Sequence, residues 1–262
     1  MTSPASTART TRTPRAAGAP CWADLTSTDH AASLAFYTAL FGWDAETPDA
    51  AMGNYANFLR EGERLVGSMP GTVDAWTVYF ATTDAERTAQ LVQAEGGAVH
   101  APVMDVMDLG RLAVLGDPGG SAFGIWQAGT HTGFPVLDVP GAPSWFELHT
   151  RDYDAVLAFY RSVLGCQVQV VSDVPGFRYA TAVIDGREVA GVMDAAGFLP
   201  EGAPAAWKVY FFTDDADATV ARAVELGATV VDPAEDTPYG RLATLADPQG
   251  AVFKLRQPPA DA

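Results

Sequence analysis

Glu147 and His149 stand two residues apart in a segment, Ser144 to Thr150, where they alternate with Phe146 and Leu148. On a β-strand that spacing puts both side chains on one face, together with Trp145. A carboxylate beside an imidazole can take up and return a proton; with cations opposite, the set can hold an anion. Cations do occur at strand spacing in the same half of the chain: Lys254 with Arg256, and Lys208 with Tyr210 and Phe212. The alternative is a salt-bridge network that satisfies itself inside the fold. The other histidines, His30, His100 and His131, fall at a helix start and in loops, where a solvated imidazole needs no further account.

The elements that position these residues are written twice. An offset of 123 brings Gly18, Pro20, Trp22, Leu25, Asp29, Phe36, Tyr37 and Gly42 onto Gly141, Pro143, Trp145, Leu148, Asp152, Phe159, Tyr160 and Gly165. After one inserted residue Tyr55, Gly62, Gly67 and Met69 match Tyr179, Gly186, Gly191 and Met193. Later, Trp76-Thr77-Val78-Tyr79-Phe80 matches Trp207 to Phe211, and Gly110-Arg111-Leu112-Ala113 with Asp117, Pro118 and Gly120 matches Gly240 to Ala243 with Asp247, Pro248 and Gly250. A period this long predicts tandem domains rather than a solenoid. Within each copy an alternating strand (Trp22 to Thr28) precedes an Asp-capped helix that Gly42 ends. A glycine-turned hairpin follows, and then the same order recurs from Trp76, so each copy reads β-α-β-β-β twice. The two Asp-Pro-x-Gly turns read as plain hairpin connections.

Composition narrows the partners. With 16 basic against 32 acidic residues the chain carries a net charge of −16, which repels a phosphate backbone or an anionic bilayer. Nucleic acid and membrane are therefore not expected partners; a small-molecule ligand is, for a monomer or homodimer. Cys21 and Cys166 fall at non-equivalent places in apolar surroundings and read as buried thiols, which fits a reducing cytoplasm. Residues 1–17 have no apolar stretch of signal-peptide length and read as a disordered tail, and no run of about 18 apolar residues occurs that could span a bilayer. The expected division is residues 18–130 for a first domain, 131–140 for a linker and 141–258 for a second domain.

The module order, the helix ending Phe36-Tyr37 and Leu40-Phe41-Gly42, and the late Asp-Pro-x-Gly turn together resemble the vicinal oxygen chelate superfamily of glyoxalases, bleomycin-resistance proteins and extradiol dioxygenases. The double form, with its Gly-x-Pro-x-Trp start, resembles the glyoxalase-like proteins of actinobacteria. The resemblance implies an α+β fold of two tandem domains, each a pair of βαβββ modules forming a curved, mostly antiparallel sheet around a cleft. It also implies where a catalytic metal would be held: Trp22, Thr77 and Gly124 in the first copy, and Trp145, Lys208 and Lys254 in the second. None of these residues is a ligand for Zn²⁺, Fe²⁺ or Mn²⁺, and one-residue slips offer only Cys21. No metal and no other cofactor is expected.

Strand alternation from those positions lists the residues sharing each concave face. The first cleft should show Trp22, Asp24, Thr26, Thr77, Tyr79, Ala81, Gly124 and Trp126; the second should show Trp145, Glu147, His149, Lys208, Tyr210, Phe212, Lys254 and Arg256. The opposite parity is uniformly apolar, as in Ala23, Leu25, Val78, Phe80, Phe123 and Ile125. The cleft aromatics suggest a pocket for a flat organic ligand, or alternatively filler for the interface between domains.

Three functions stand side by side on these residues. The first is a metal-independent binder of a planar or aromatic compound, of the resistance or sequestration type in secondary metabolism, with Trp22, Asp24, Tyr79, Trp126, Trp145, Lys208, Tyr210, Phe212, Lys254 and Arg256 as contacts. The second is a metal-independent isomerase, cyclase or lyase with Glu147 and His149 as acid and base. The third is a metal-dependent glyoxalase or dioxygenase with a rearranged site built from Glu147, His149 and Asp24.

Overall fold

Alternation and capping produce the expected elements in the computed structural model, which describes residues 14–259. In the first domain β1 (Pro20–Ser27), α1 (His30–Phe41), β2 (Asp44–Ala45), β3 (Ala56–Arg60) and β4 (Glu63–Pro70) form one module. The next is β5 (Ala75–Thr82), α2 (Ala85–Ala94), β6 (Ala98–Val106), β7 (Gly110–Gly116) and β8 (Ala122–Ala128). The second domain repeats this with β9 (Pro143–Thr150), α3 (Tyr153–Leu164), β10 (Gln167–Val174), β11 (Phe177–Ile184) and β12 (Arg187–Asp194). It then continues with β13 (Ala206–Phe212), α4 (Ala216–Glu225), β14 (Thr229–Thr237), β15 (Gly240–Ala246) and β16 (Val252–Gln257).

The described residues form two curved, open, eight-stranded sheets, ordered β2-β3-β4-β1-β5-β8-β7-β6 and β10-β11-β12-β9-β13-β16-β15-β14. The modules meet through the antiparallel pairs β1–β5 and β9–β13, so each cleft is floored by the first strands of both modules. Helix starts follow the capping chemistry: the carboxylates of Asp29, Asp84 and Asp215 accept from Ala32 N, Arg87 N and Ala218 N. Asp152 occupies the same place before α3 without a side-chain bond. Gly42 and Gly165, at φ 67 and 66, end α1 and α3 in the left-handed region.

Each sheet's apolar face does more than receive its own helices: the two domains pack there. Phe80 meets Trp207 at 4.9 Å between ring centroids and Trp76 meets Phe211 at 5.2 Å. Phe36 of α1 reaches Phe253, and Phe159 of α3 reaches Phe123, so each first helix also packs on the other domain's last strand. Burying an aromatic or aliphatic side chain is worth about 1.5–3 kcal/mol, and this shared core makes the two halves one folded body. The alternative reading of the cleft aromatics as interface filler is thereby corrected, since residues of the opposite parity fill that role. The Asp-Pro-x-Gly turns are also more than hairpin connections, because Asp117 accepts from Tyr160 of the other domain at 2.8 Å.

Of the tail expected over residues 1–17, residues 1–13 lie outside the described residues, while Arg15 Nε donates to the Pro20 carbonyl at 3.3 Å. The segment between β8 and β9 is tied down. Phe134 N–H donates to the Cys21 carbonyl at 2.8 Å, and the Phe134 ring stacks on both Trp22 and Phe146. Both cysteines are free and buried. No helix among the described residues is long and apolar enough to cross a membrane.

Candidate ligand-binding site

Strand register decides which side chains can meet. In the first domain Trp22 pairs with Tyr79, Asp24 with Thr77, and Tyr79 with Gly124. In the second Trp145 pairs with Tyr210, Glu147 with Lys208, Tyr210 with Lys254 and Phe212 with Arg256. All the residues assigned to a common concave face therefore lie on adjacent strands at matching parity, in both clefts.

The first cleft is closed by its own chain. Trp22, Asp24, Tyr79 and Trp126 are all buried. Trp22 Nε1 donates to Asp24 Oδ1 at 2.9 Å, and the Tyr55 hydroxyl donates to the same oxygen at 2.7 Å. Burial raises the Asp24 pKa, against the opposing pull of hydrogen bonds from Tyr55, Tyr79 and Trp22. His131 covers this nest, its ring edge-on to Trp22 at 4.4 Å, and its carbonyl accepts from Trp126 Nε1 at 2.9 Å. The expectation of a solvated His131 is thus corrected: it is a plug, and burial, followed by the charge of Arg64, lowers its pKa to about 4.

The second cleft keeps the floor and loses the plug. Trp145, Lys208, Phe212, Lys254 and Arg256 are only partly covered, while Glu147, His149 and Tyr210 are buried at its base. Glu147 Oε1 lies 2.8 Å from His149 Nε2 and accepts from the Tyr210 hydroxyl at 2.6 Å. Burial alone would raise Glu147, but hydrogen bonds from His149 and Tyr210 and the charge of Lys254 outweigh it and hold the carboxyl below the usual range. Burial and the two lysines keep His149 below its ordinary value despite Glu147, so a neutral imidazole beside an ionised carboxylate is the resting pair. The lysines do not complete a self-satisfied salt-bridge network: among the described residues neither forms an ion pair, Lys254 Nζ sits over the Tyr210 ring at 5.1 Å, and Glu147 Oε1 is hydrogen-bonded to His149 and Tyr210.

Two tyrosines join the clefts that face alternation did not assign. Tyr55 and Tyr179 reach in from outside the paired first strands, across Gly67 and Gly191, where a Cβ would run into either hydroxyl. Tyr179 accepts from Trp145 Nε1 at 3.1 Å, as Tyr55 does from Trp22 at the same distance. The signal was present in the repeat, where Tyr55 with Gly67 matches Tyr179 with Gly191. The second cleft also has a cover of its own. Between Met193 and Trp207 the chain is seven residues longer than between Met69 and Trp76, and in this loop Phe198 lies edge-on to His149 at 5.4 Å. Arg151 fixes the loop by donating to the carbonyls of Leu199, Pro200 and Ala203.

The fold's metal chemistry does not fit these donors. At the positions the family uses stand an indole, a hydroxyl and no side chain in one cleft, and an indole and two ammonium groups in the other. Carboxylate and imidazole donors number two in the second cleft, Glu147 and His149, and they bond to each other. A divalent ion placed there would face Lys208 and Lys254.

Comparison with known proteins agrees with this architecture. A glyoxalase-like domain model matches residues 145–256. The anthracycline biosynthesis protein DauV of Streptomyces sp. strain C5 is 40% identical over 264 residues, covering 92% of this chain and 93% of its own. The CFP32 protein of Mycobacterium tuberculosis is 37% identical over 251 residues, covering 92% and 95%. The crystal structure of a Mn(II)-bound glyoxalase from Novosphingobium aromaticivorans shares the fold with a TM-score of 0.64 at 17% identity, over 91% of this chain and 81% of that one. On its repeats, its sheets and these relatives, the chain belongs to the glyoxalase-like family of the vicinal oxygen chelate superfamily.

Proposed function

We propose that the second cleft binds a planar aromatic small molecule of secondary metabolism, and does so without a metal ion. The observation that carries this reading is the asymmetry of the two clefts. Both have the same strand floor and the same tyrosine-over-glycine device, yet one is sealed by His131 while the other keeps Trp145, Phe212 and three cations accessible. Aromatic walls with a few polar groups are what a flat organic ligand requires. The relative's role in anthracycline biosynthesis points to the same class, since an anthracycline is a fused-ring aromatic.

Tryptophan fluorescence and melting temperature, followed during titration with an anthracycline, test the reading. Trp145→Ala should weaken binding at least tenfold, and Thr77→Val in the closed cleft should leave it unchanged. Equal affinity of Trp145→Ala and the parent would overturn the assignment. One tightly held transition metal per chain after dialysis would overturn metal independence.

A second reading rests on the Glu147–His149 contact at 2.8 Å, with Tyr210 at 2.6 Å from the same oxygen. An ionised carboxylate and a neutral imidazole so placed can exchange a proton with a bound ligand, as an isomerase, cyclase or lyase needs. Turnover that disappears in Glu147→Gln while ligand affinity persists would establish it.

A further inference from the structure

Lys208 and Lys254 are the only lysines in a chain of net charge −16, and both face the second cleft. They are diagonal neighbours across β13 and β16, since Lys208 lies two residues from Tyr210, the register partner of Lys254. Among the described residues Lys208 makes no hydrogen bond or ion pair, and the direct contact of the Lys254 ammonium is the face of the Tyr210 ring, with Glu147 reached only through its charge. Glu147, the register partner of Lys208, is already committed, because its Oε1 is shared by His149 and Tyr210. Arg256, the third cation, leans away toward Asp138 at 3.7 Å and the Tyr239 carbonyl at 3.4 Å. Burial and the charge of Lys254 both disfavour the protonated form of Lys208.

Two partly buried ammonium groups that repel each other and have no direct ion pair, only the field of a Glu147 carboxylate already bonded to His149 and Tyr210, are costly to keep. The first domain does without them, placing Thr77 and Gly124 at the same positions. An anion arriving between them offsets the cost, and the surroundings limit which anion it is. A dianion such as phosphate would meet the ionised Glu147 at the base of the cleft. A single negative charge spread over a ring would lie between aromatic walls, with its oxygen on the lysines.

We propose that Lys208 and Lys254 form an oxyanion site that binds the ionised hydroxyl of a hydroxyquinone-type ligand, its ring held against Trp145 and Tyr210. The inference rests on the reading of the second cleft as a planar-ligand site, and it makes the two lysines the source of the positive charge that a metal supplies in other members of the fold.

The test uses 2-hydroxyanthraquinone, whose absorption moves to longer wavelength on ionisation, and its methyl ether 2-methoxyanthraquinone, which cannot ionise. Bound to the parent protein, the hydroxyl should ionise at least one pH unit below the free dye, as an acid beside a cation does. In the double variant Lys208→Met/Lys254→Met the midpoint should return to that of the free dye or rise above it, since burial and the Glu147 carboxylate disfavour the ionised hydroxyl, with methyl ether affinity unchanged. Retained affinity for the methyl ether certifies the fold of this variant whatever its melting temperature, since removing the repulsion between the lysines and removing the Lys254 charge from Glu147 act in opposite directions. Binding of both dyes with an unshifted midpoint in the parent, or a shift that survives in the double variant, overturns the oxyanion site and leaves the aromatic cleft standing. Binding of neither dye to the parent overturns both.

Discussion

The Tyr160 hydroxyl of α3 donates to Asp117 Oδ2 at 2.8 Å across the domain boundary and accepts from Trp207 Nε1 at 2.9 Å. The symmetric position is built alike: Tyr37 accepts from Trp76 Nε1 at 3.0 Å, and burial chiefly, then the charge of the buried Asp247 carboxylate, raise its phenol. Each Asp-Pro-x-Gly turn thus meets the first helix of the other domain, inside the aromatic core that joins them.

Tyr160→Phe should therefore destabilise the whole molecule rather than one domain. It leaves a buried carboxylate oxygen and an indole N–H without their partner, each worth about 1–3 kcal/mol when orphaned. Urea unfolding followed by fluorescence and by circular dichroism should give coincident single transitions, shifted by about 2–4 kcal/mol. Two separated transitions in the parent protein would show that the domains unfold independently.

Glu147 Oε1 is the shared hydrogen-bond partner of His149 Nε2 and the Tyr210 hydroxyl at the buried base of the cleft. Glu147→Ala should cost a few kcal/mol, as removal of one member of a buried pair does, whereas Glu147→Gln retains an acceptor oxygen and should cost less. The folded carboxyl titrates below its unfolded value, so its stabilisation is present above the unfolded pKa and fades as pH falls through the folded one. Stability measured below pH 4.5, the unfolded value of the carboxyl, should fall less steeply in Glu147→Gln than in the parent; above it the curves report His149, whose pKa Glu147 holds up. If Glu147→Ala loses stability and keeps full ligand affinity, Glu147 supports the cleft rather than the ligand.

Face membership was legible in the sequence because strand parity is a backbone property: Trp22 with Asp24, and Trp145 with Glu147 and His149, point as alternation requires. What parity cannot express is a side chain arriving from elsewhere. Tyr55 and Tyr179 enter across Gly67 and Gly191, from segments that the strand count does not link to the floor. His131 and Phe134 close the first cleft from a stretch with neither helical nor strand periodicity, whose polar and proline content reads as a tether. The packing of the two apolar faces on each other escaped for a related reason, since burial beneath a helix and burial against a second domain demand the same residues.

Gly124 is a case where a missing side chain shapes a cleft. Its φ is unremarkable, yet a Cβ there would overlap the Tyr79 ring, which lies flat against β8. In the second domain Lys254 fills this place and puts its ammonium over Tyr210. Gly124→Ala should cost about 1–3 kcal/mol by overpacking and, by displacing Tyr79, make Trp22 more accessible to acrylamide quenching. Unchanged quenching together with unchanged stability would contradict the described packing.

His131 gives the closed cleft an acid limit. Burial chiefly, and Arg64 secondarily, lower its pKa from 6.5 to about 4, so the folded protein resists a proton that the unfolded chain accepts readily. The sign follows: the plug's contribution is fully present above the unfolded pKa and is lost as pH falls from about 6.5 toward 4. At about 1.4 kcal/mol per pH unit, the loss is on the order of 2–3 kcal/mol across that window. His131→Phe keeps an aromatic ring beside Trp22 but carries no proton, so its stability should be flatter with pH. His30 and His149 are also lowered by burial and bend both curves alike, which is why the difference between parent and variant is the informative quantity. Urea unfolding free energies at pH 7.5, 6 and 5 should show the parent losing ground on the variant at each step. Parallel curves would mean that His131 is as accessible to protons in the folded protein as in the unfolded chain, and that the first cleft is open.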